Sequence, residues 1–164
     1  MPLDDRHILA LLKDLDDPDH TEVPRHYDHA EARARFDKLA ARLEQQFHCI
    51  CSVDRGVQDA SHHGTIVIPA AATASGDRIT ITVSNFGNLV AMTLGNPGSY
   101  AEDEERLLFE STDRRRVDDE LEALRYVAVS EHLLHERYDG VGNLAARHPR
   151  KHPPTWWDRF FDYL

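Results

Sequence analysis

The sequence predicts an α+β fold, an antiparallel four- to five-stranded meander with N-terminal and C-terminal helices packed on one face. Three observations carry this. Apolar residues recur at helical spacing over 5–16 and 28–47. Between residues 49 and 94 the period changes to two, with short polar turns between apolar runs. Beyond residue 114 the helical spacing returns. A length of 164 residues suits a single domain spanning 1–164.

The first helix follows from Ile8, Leu12 and Leu15 at i, i+4, i+7, with Asp4 or Asp5 to cap it and Asp16-Asp17-Pro18 to end it. Asp28-His29-Ala30-Glu31 has the form of a capping box and opens a second helix over about 28–47. Its stripe is Ala32, Phe36, Leu39, Ala40, Leu43 and Phe47. Cys49, Cys51 and Val53 then share one side of a strand, and Asp59 to Gly64 reads as a polar turn. Thr65–Ile68 and Arg78–Val83 are strands separated by the Ser75-Gly76-Asp77 turn. Asn85-Phe86-Gly87-Asn88 turns the chain into the strand Leu89–Leu94. Residues 102–110 fit either a helix or a fifth strand. A long helix is predicted over 114–138, capped by Asp113 and apolar nearly all round in its second half. Thr155 caps a last helical turn.

The charge is −10 and unevenly spread. Residues 1–31 and residues 102–122 each carry a net −6, and the rest is near neutral. Such a field steers a basic partner and disfavours nucleic acid. No apolar run reaches the roughly 18 residues of a membrane span. The N-terminus lacks the basic-then-apolar layout of a signal peptide, and Cys49 and Cys51 are the only cysteines. These features predict a cytoplasmic protein with reduced thiols.

Sequence motifs for catalysis are absent. There is no G-x-S-x-G, no P-loop, no dinucleotide fingerprint and no HExxH. Ser61-His62-His63 reads as a turn without a third catalytic partner. Eleven histidines include the i, i+3 pairs His26/His29 and His132/His135, without the ligand spacing of a zinc site. No metal or cofactor is expected. Glu131 and His135, one helical turn apart in an apolar stripe, are the one candidate acid/base pair.

The tail is unusually aromatic, with Trp156, Trp157, Phe160, Phe161 and Tyr163 among the last nine residues. A terminus this apolar is expected to dock on its own domain. A basic, Pro-rich spacer with Arg147, Arg150 and Lys151 precedes it. Tyr138-Asp139-Gly140, that spacer and Thr155-Trp156-Trp157-Asp158-Arg159-Phe160-Phe161-Asp162-Tyr163-Leu164 resemble the ends of small bacterial proteins, some of them immunity proteins of polymorphic toxin systems. The likeness covers residues 138–164. It implies a small acidic inhibitor that binds a toxin domain and masks its active site, and it assigns no functional residue.

The expected function is therefore protein binding rather than catalysis: an immunity-type inhibitor of a cognate, basic toxin, acting as a monomer or homodimer. The expected contact residues are Glu102, Asp103, Glu104, Glu105, Asp118, Asp119 and Glu120, with Trp156 and Trp157 as aromatic anchors. A secretion-chaperone-like adaptor and an enzyme using Glu131 and His135 are the alternatives.

Overall fold

The computed structural model describes residues 4–141 and 153–162. The α+β class holds. Helices α1 (Asp5–Leu15) and α2 (His29–Phe47) precede strands β1 (Ser52–Asp54), β2 (His62–Ile68), β3 (Ile79–Ser84) and β4 (Leu89–Leu94). Then follow α3 (Glu102–Leu108), α4 (Ser111–Ala123), β5 (Val127–Val129), α5 (Glu131–Leu134) and α6 (Trp156–Phe160). The predicted spacer residues 148–152, with Arg147 and the turn residues Gly142 and Asn143, lie outside the described residues, as do Tyr163 and Leu164.

Local chemistry explains the helix ends. The Asp4 carboxylate accepts from the His7 N–H, and that of Asp28 accepts from the Glu31 N–H. Helix α2 stops where His48 adopts a left-handed conformation. Thr155 and Asp158 form the reciprocal capping box of α6.

The five strands lie in sequence order, and β1 to β4 pair antiparallel as the predicted meander. The β3–β4 turn needs positive φ at Gly87 and Asn88. A Cβ on Gly87 would stand 2.3 Å from Leu15, so α1 crosses the turn where only glycine fits.

Four details differ from the sequence reading. The helix predicted over 114–138 is broken. Helix α4 ends at Ala123, Arg125 takes φ 63°, and Val127–Val129 pairs with β4 as a parallel strand, making the sheet mixed. The apolar character of 124–134 belongs to a strand followed by one helical turn. Val127 and Val129 favour the pleated, half-buried position that the open edge of β4 offers. Asp113 does not cap α4. It lies inside the helix, where its carboxylate accepts from Ala74 N, Ser75 N and Ser75 Oγ. His62 and His63 are not in a turn but open β2, both buried. Residues 102–108 resolve as helix.

The fourth difference concerns the layers. Helices α2 and α4 cover one face of the sheet, against Ile79, Ile81, Val83, Val90, Met92 and Leu94. The other face carries Leu89, Ala91 and Val129, covered by α1, α5 and α6. Helices therefore flank both faces rather than one. The cause is the composition of β4, whose six residues are all buried and apolar at five positions. A strand apolar on both sides needs two covers.

The aromatic tail docks on its own core as expected. Trp156, Phe160 and Phe161 are buried, and Ser84 Oγ donates to Phe160 O at 2.7 Å. The deepest polar contact joins this tail to the start of the chain. Arg159 Nε donates to Asp16 Oδ1 at 2.7 Å, with both side chains at most 3% exposed. Its other nitrogens donate to Thr21 O, Asp17 O and His20 O, and Phe86 and Phe160 stack on the guanidinium at 4.7 Å. Asp16 Oδ2 accepts from the Tyr138 hydroxyl and from Val141 N. A Cβ on Gly140 would overlap that oxygen at 1.9 Å.

Two stability changes follow. Leu43→Ala, at a fully buried position of α2, should cost about 2–5 kcal/mol in denaturant melts. Asp16→Asn strands a buried guanidinium and should cost about 3–5 kcal/mol. A change within error in either melt would contradict the packing described here.

Candidate functional site

A cleft of about 820 Å³ opens between the N-terminal turn of α1, the 98–101 loop, α3, α4 and the β5–α5 corner. Its floor is apolar, formed by the buried Ile8, Met92 and Val129. Its walls carry five carboxylates, Asp5, Glu102, Glu105, Asp118 and Glu131, against the guanidiniums of Arg106 and Arg114. His132 and His135 complete the rim.

Two wall carboxylates, Glu105 and Glu131, are placed by a backbone need. Strand β4 outruns β5, leaving the Leu94 N–H beyond the last ladder position, and Glu105 Oε2 accepts it at 3.3 Å. That role holds Glu105 half-buried, and burial pushes its carboxyl above the usual range despite this hydrogen bond and Arg114 at 4.0 Å. Desolvation likewise raises Asp118, although this side chain still reaches water. The Glu131 side chain is 10% exposed, accepting from the Gly98 N–H and lying 3.0 Å from His135 Nε2. This hydrogen bond raises the His135 pKa against an opposing desolvation. The His135 ring in turn stacks on Trp157, with centroids 5.9 Å apart. His132 stands 3.7 Å from Asp5 and 3.6 Å from Glu102, where the two walls approach each other.

The sequence-predicted contact residues divide. Glu102, Glu105 and Asp118 line the cleft, while Asp103, Glu104 and Asp119 are exposed outside it. Glu120 is buried and accepts from Arg42 Nε and Gln46 Nε2, fastening α4 to α2. Trp156 is 1% exposed and packs on Tyr138 and Phe160. Both are spent on the fold and offer no contact surface. Trp157 is half-buried between His135 and Phe161. The fold also brings together what the sequence held apart. Glu131 and His135 share the cleft with the acidic α3 and α4 residues, and Asp5 joins them from the N-terminal acidic segment.

A smaller pocket of about 230 Å³ lies over the start of α2. There the Tyr27 hydroxyl donates to Asn85 Oδ1 at 3.0 Å and lies 3.2 Å from His63 Nδ1. Burial keeps His63 below its ordinary pKa. Arg35 lies over the Tyr126 ring at 5.8 Å. Among the described residues, no group of three or more His, Cys, Asp or Glu side chains is arranged to hold a metal ion, and no helix is long and apolar enough to cross a membrane.

Comparison of the chain with protein-family models, with curated proteins and with solved structures finds no match.

The Glu131–His135 contact has a measurable signature. A histidine whose pKa is raised on folding adds stability that is fully present below the unfolded value of about 6.5 and lost as pH rises through the folded pKa. The His135 ring should therefore titrate above 6.5 by NMR and fall back toward it in Glu131→Gln. An unshifted midpoint in the wild type would show that the pair is not formed in solution.

Proposed function

We propose that this protein binds the basic surface of a partner protein, as an immunity-type inhibitor masks the active site of a toxin domain. The observation that supports the reading most directly is the cleft's composition, carboxylate walls over an apolar floor. Arg and Lys side chains need both, because their aliphatic stems prefer apolar surface while their charged heads seek an acid. The cleft can take several such side chains. Outside the cleft lining, Leu107 is 86% exposed on α3, a helix that buries none of its residues and carries four acids in its first turn. The net −6 of residues 102–122 draws a cationic partner toward this face over a distance set by salt.

A second reading is acid/base chemistry at Glu131 and His135, favoured by their 3.0 Å contact inside the cleft. The carboxylate is already engaged by the Gly98 N–H, which suits a holding role better than proton transfer.

The triple variant Glu102→Gln, Asp103→Asn, Glu104→Gln tests the binding reading, because exposed acids add little to stability and it should melt as the wild type does. Against a toxin domain encoded beside it, its association rate should fall by about tenfold at low salt and converge with the wild-type rate at high salt. A matching Asp118→Asn, Asp119→Asn variant should lose rate in the same way. Unchanged rates in both sets would remove this surface from the mechanism.

A further inference from the structure

The cleft contains an unused sheet edge, and the inference drawn from it rests on the partner-binding reading above. β5 is an edge strand of the sheet. It pairs with β4 through the register Leu89↔Val127, Val90↔Ala128, Ala91↔Val129, and the Val127 N–H donates to Asn88 O at 2.8 Å. In a parallel ladder successive residues turn their backbone groups to opposite edges. Val127 and Val129 therefore face β4, while the Ala128 N–H and C=O and the Ser130 N–H face outward. Among the described residues, no hydrogen bond outside the ladder reaches these three groups. Ala128 is exposed, and both residues line the cleft.

We propose that the partner is held as a sixth strand, an extended basic segment that pairs with Ala128 and Ser130. Open edges attract other strands, and proteins protect them with short length or charge. Here the flanking charge is selective. Glu102 and Asp118 stand on the wall above the edge and Asp5 on the wall below it. A strand alternates its side chains between two faces. Basic residues at every second position meet the α3–α4 wall, and the apolar residues between them lie over the apolar floor. A second copy of this chain, itself at −10, is repelled from the same edge. A basic helix satisfies its own backbone and leaves Ala128 unpaired. Strand addition meets the charge, the floor and the orphaned backbone groups together.

The probe is the hexapeptide Val-Arg-Val-Arg-Val-Arg, capped at both ends, with two analogues N-methylated at either the three valines or the three arginines. Titration calorimetry at low salt gives the affinities, and amide exchange by NMR reports on Ala128 and Ser130. Strand addition predicts that the parent peptide protects the Ala128 amide. It also predicts that one N-methylated analogue binds at least about tenfold more weakly while the other is little changed, because only one edge of the peptide pairs. If both analogues bind like the parent and Ala128 stays unprotected, while Glu102→Gln with Asp118→Asn weakens all three, strand addition is overturned and the acidic cleft stands. If none of the three binds, both readings fall. A homodimer that protects Ala128 without peptide also overturns the proposal, since the edge is then already taken.

Discussion

The ion pair between Asp16 and Arg159 is the constraint on which the second layer of this protein depends. Removing two opposite charges from water is costly, and their attraction compensates only if every remaining donor and acceptor is matched. Here they are matched closely. Arg159 reaches three backbone carbonyls between residues 17 and 21, and Asp16 takes the Tyr138 hydroxyl and the Val141 N–H. One contact thus joins the end of α1, the following loop, the chain after α5 and the C-terminal helix. Tail and sheet are also joined by Ser84 Oγ to Phe160 O and Ser61 N to Asp162 O, but among the described residues this pair alone ties the tail by hydrogen bonds to the end of α1 and the loop after it. Stacking of Phe86 and Phe160 on the guanidinium excludes water from it, which strengthens the pair electrostatically.

A second theme is the use of carboxylates as acceptors for stray backbone N–H groups. Asp113 takes two from the turn at Ala74 and Ser75, Glu44 takes Cys51 N, and Glu105 takes Leu94 N. A mixed sheet with strands of unequal length leaves such donors unmatched, and each one buried without an acceptor is destabilising. Part of the acidity that looks like a binding signal in the sequence is therefore structural. Glu120 is the clearest case, since its neighbours Asp118 and Asp119 stay exposed while its own carboxylate fastens two helices.

Much of the architecture was legible in the residues. The stripe of α2, the two-residue period of β3 and β4, the turn at Gly87 and Asn88 and the inward docking of the tail all follow from local spacing. The break at Arg125 did not, because a left-handed arginine has no compositional marker and Val127-Ala128-Val129 is too short to show a period. The second helical layer was legible in principle, since β4 is apolar on both sides. The cleft was half legible. The acids of α3 and the Glu131–His135 pair were each visible in sequence. Their meeting depends on β5 running parallel to β4, a long-range pairing that no local pattern encodes. Asp5, in sequence only a candidate helix cap, reaches the cleft through the same long-range packing.

The stacking of Trp157 on His135 separates the two tryptophans optically. Trp156 sits in a dry aromatic cluster with Tyr138 and Phe160, whereas Trp157 shares its face with an imidazole that also holds a cleft carboxylate. The protein thus carries an intrinsic emission reporter at the cleft's edge, beside an internal reference that the cleft does not touch. Anything that draws Glu131 away from His135 alters the charge against the Trp157 ring. A ligand that parts Glu131 from His135 would therefore register in the Trp157 emission without any added label.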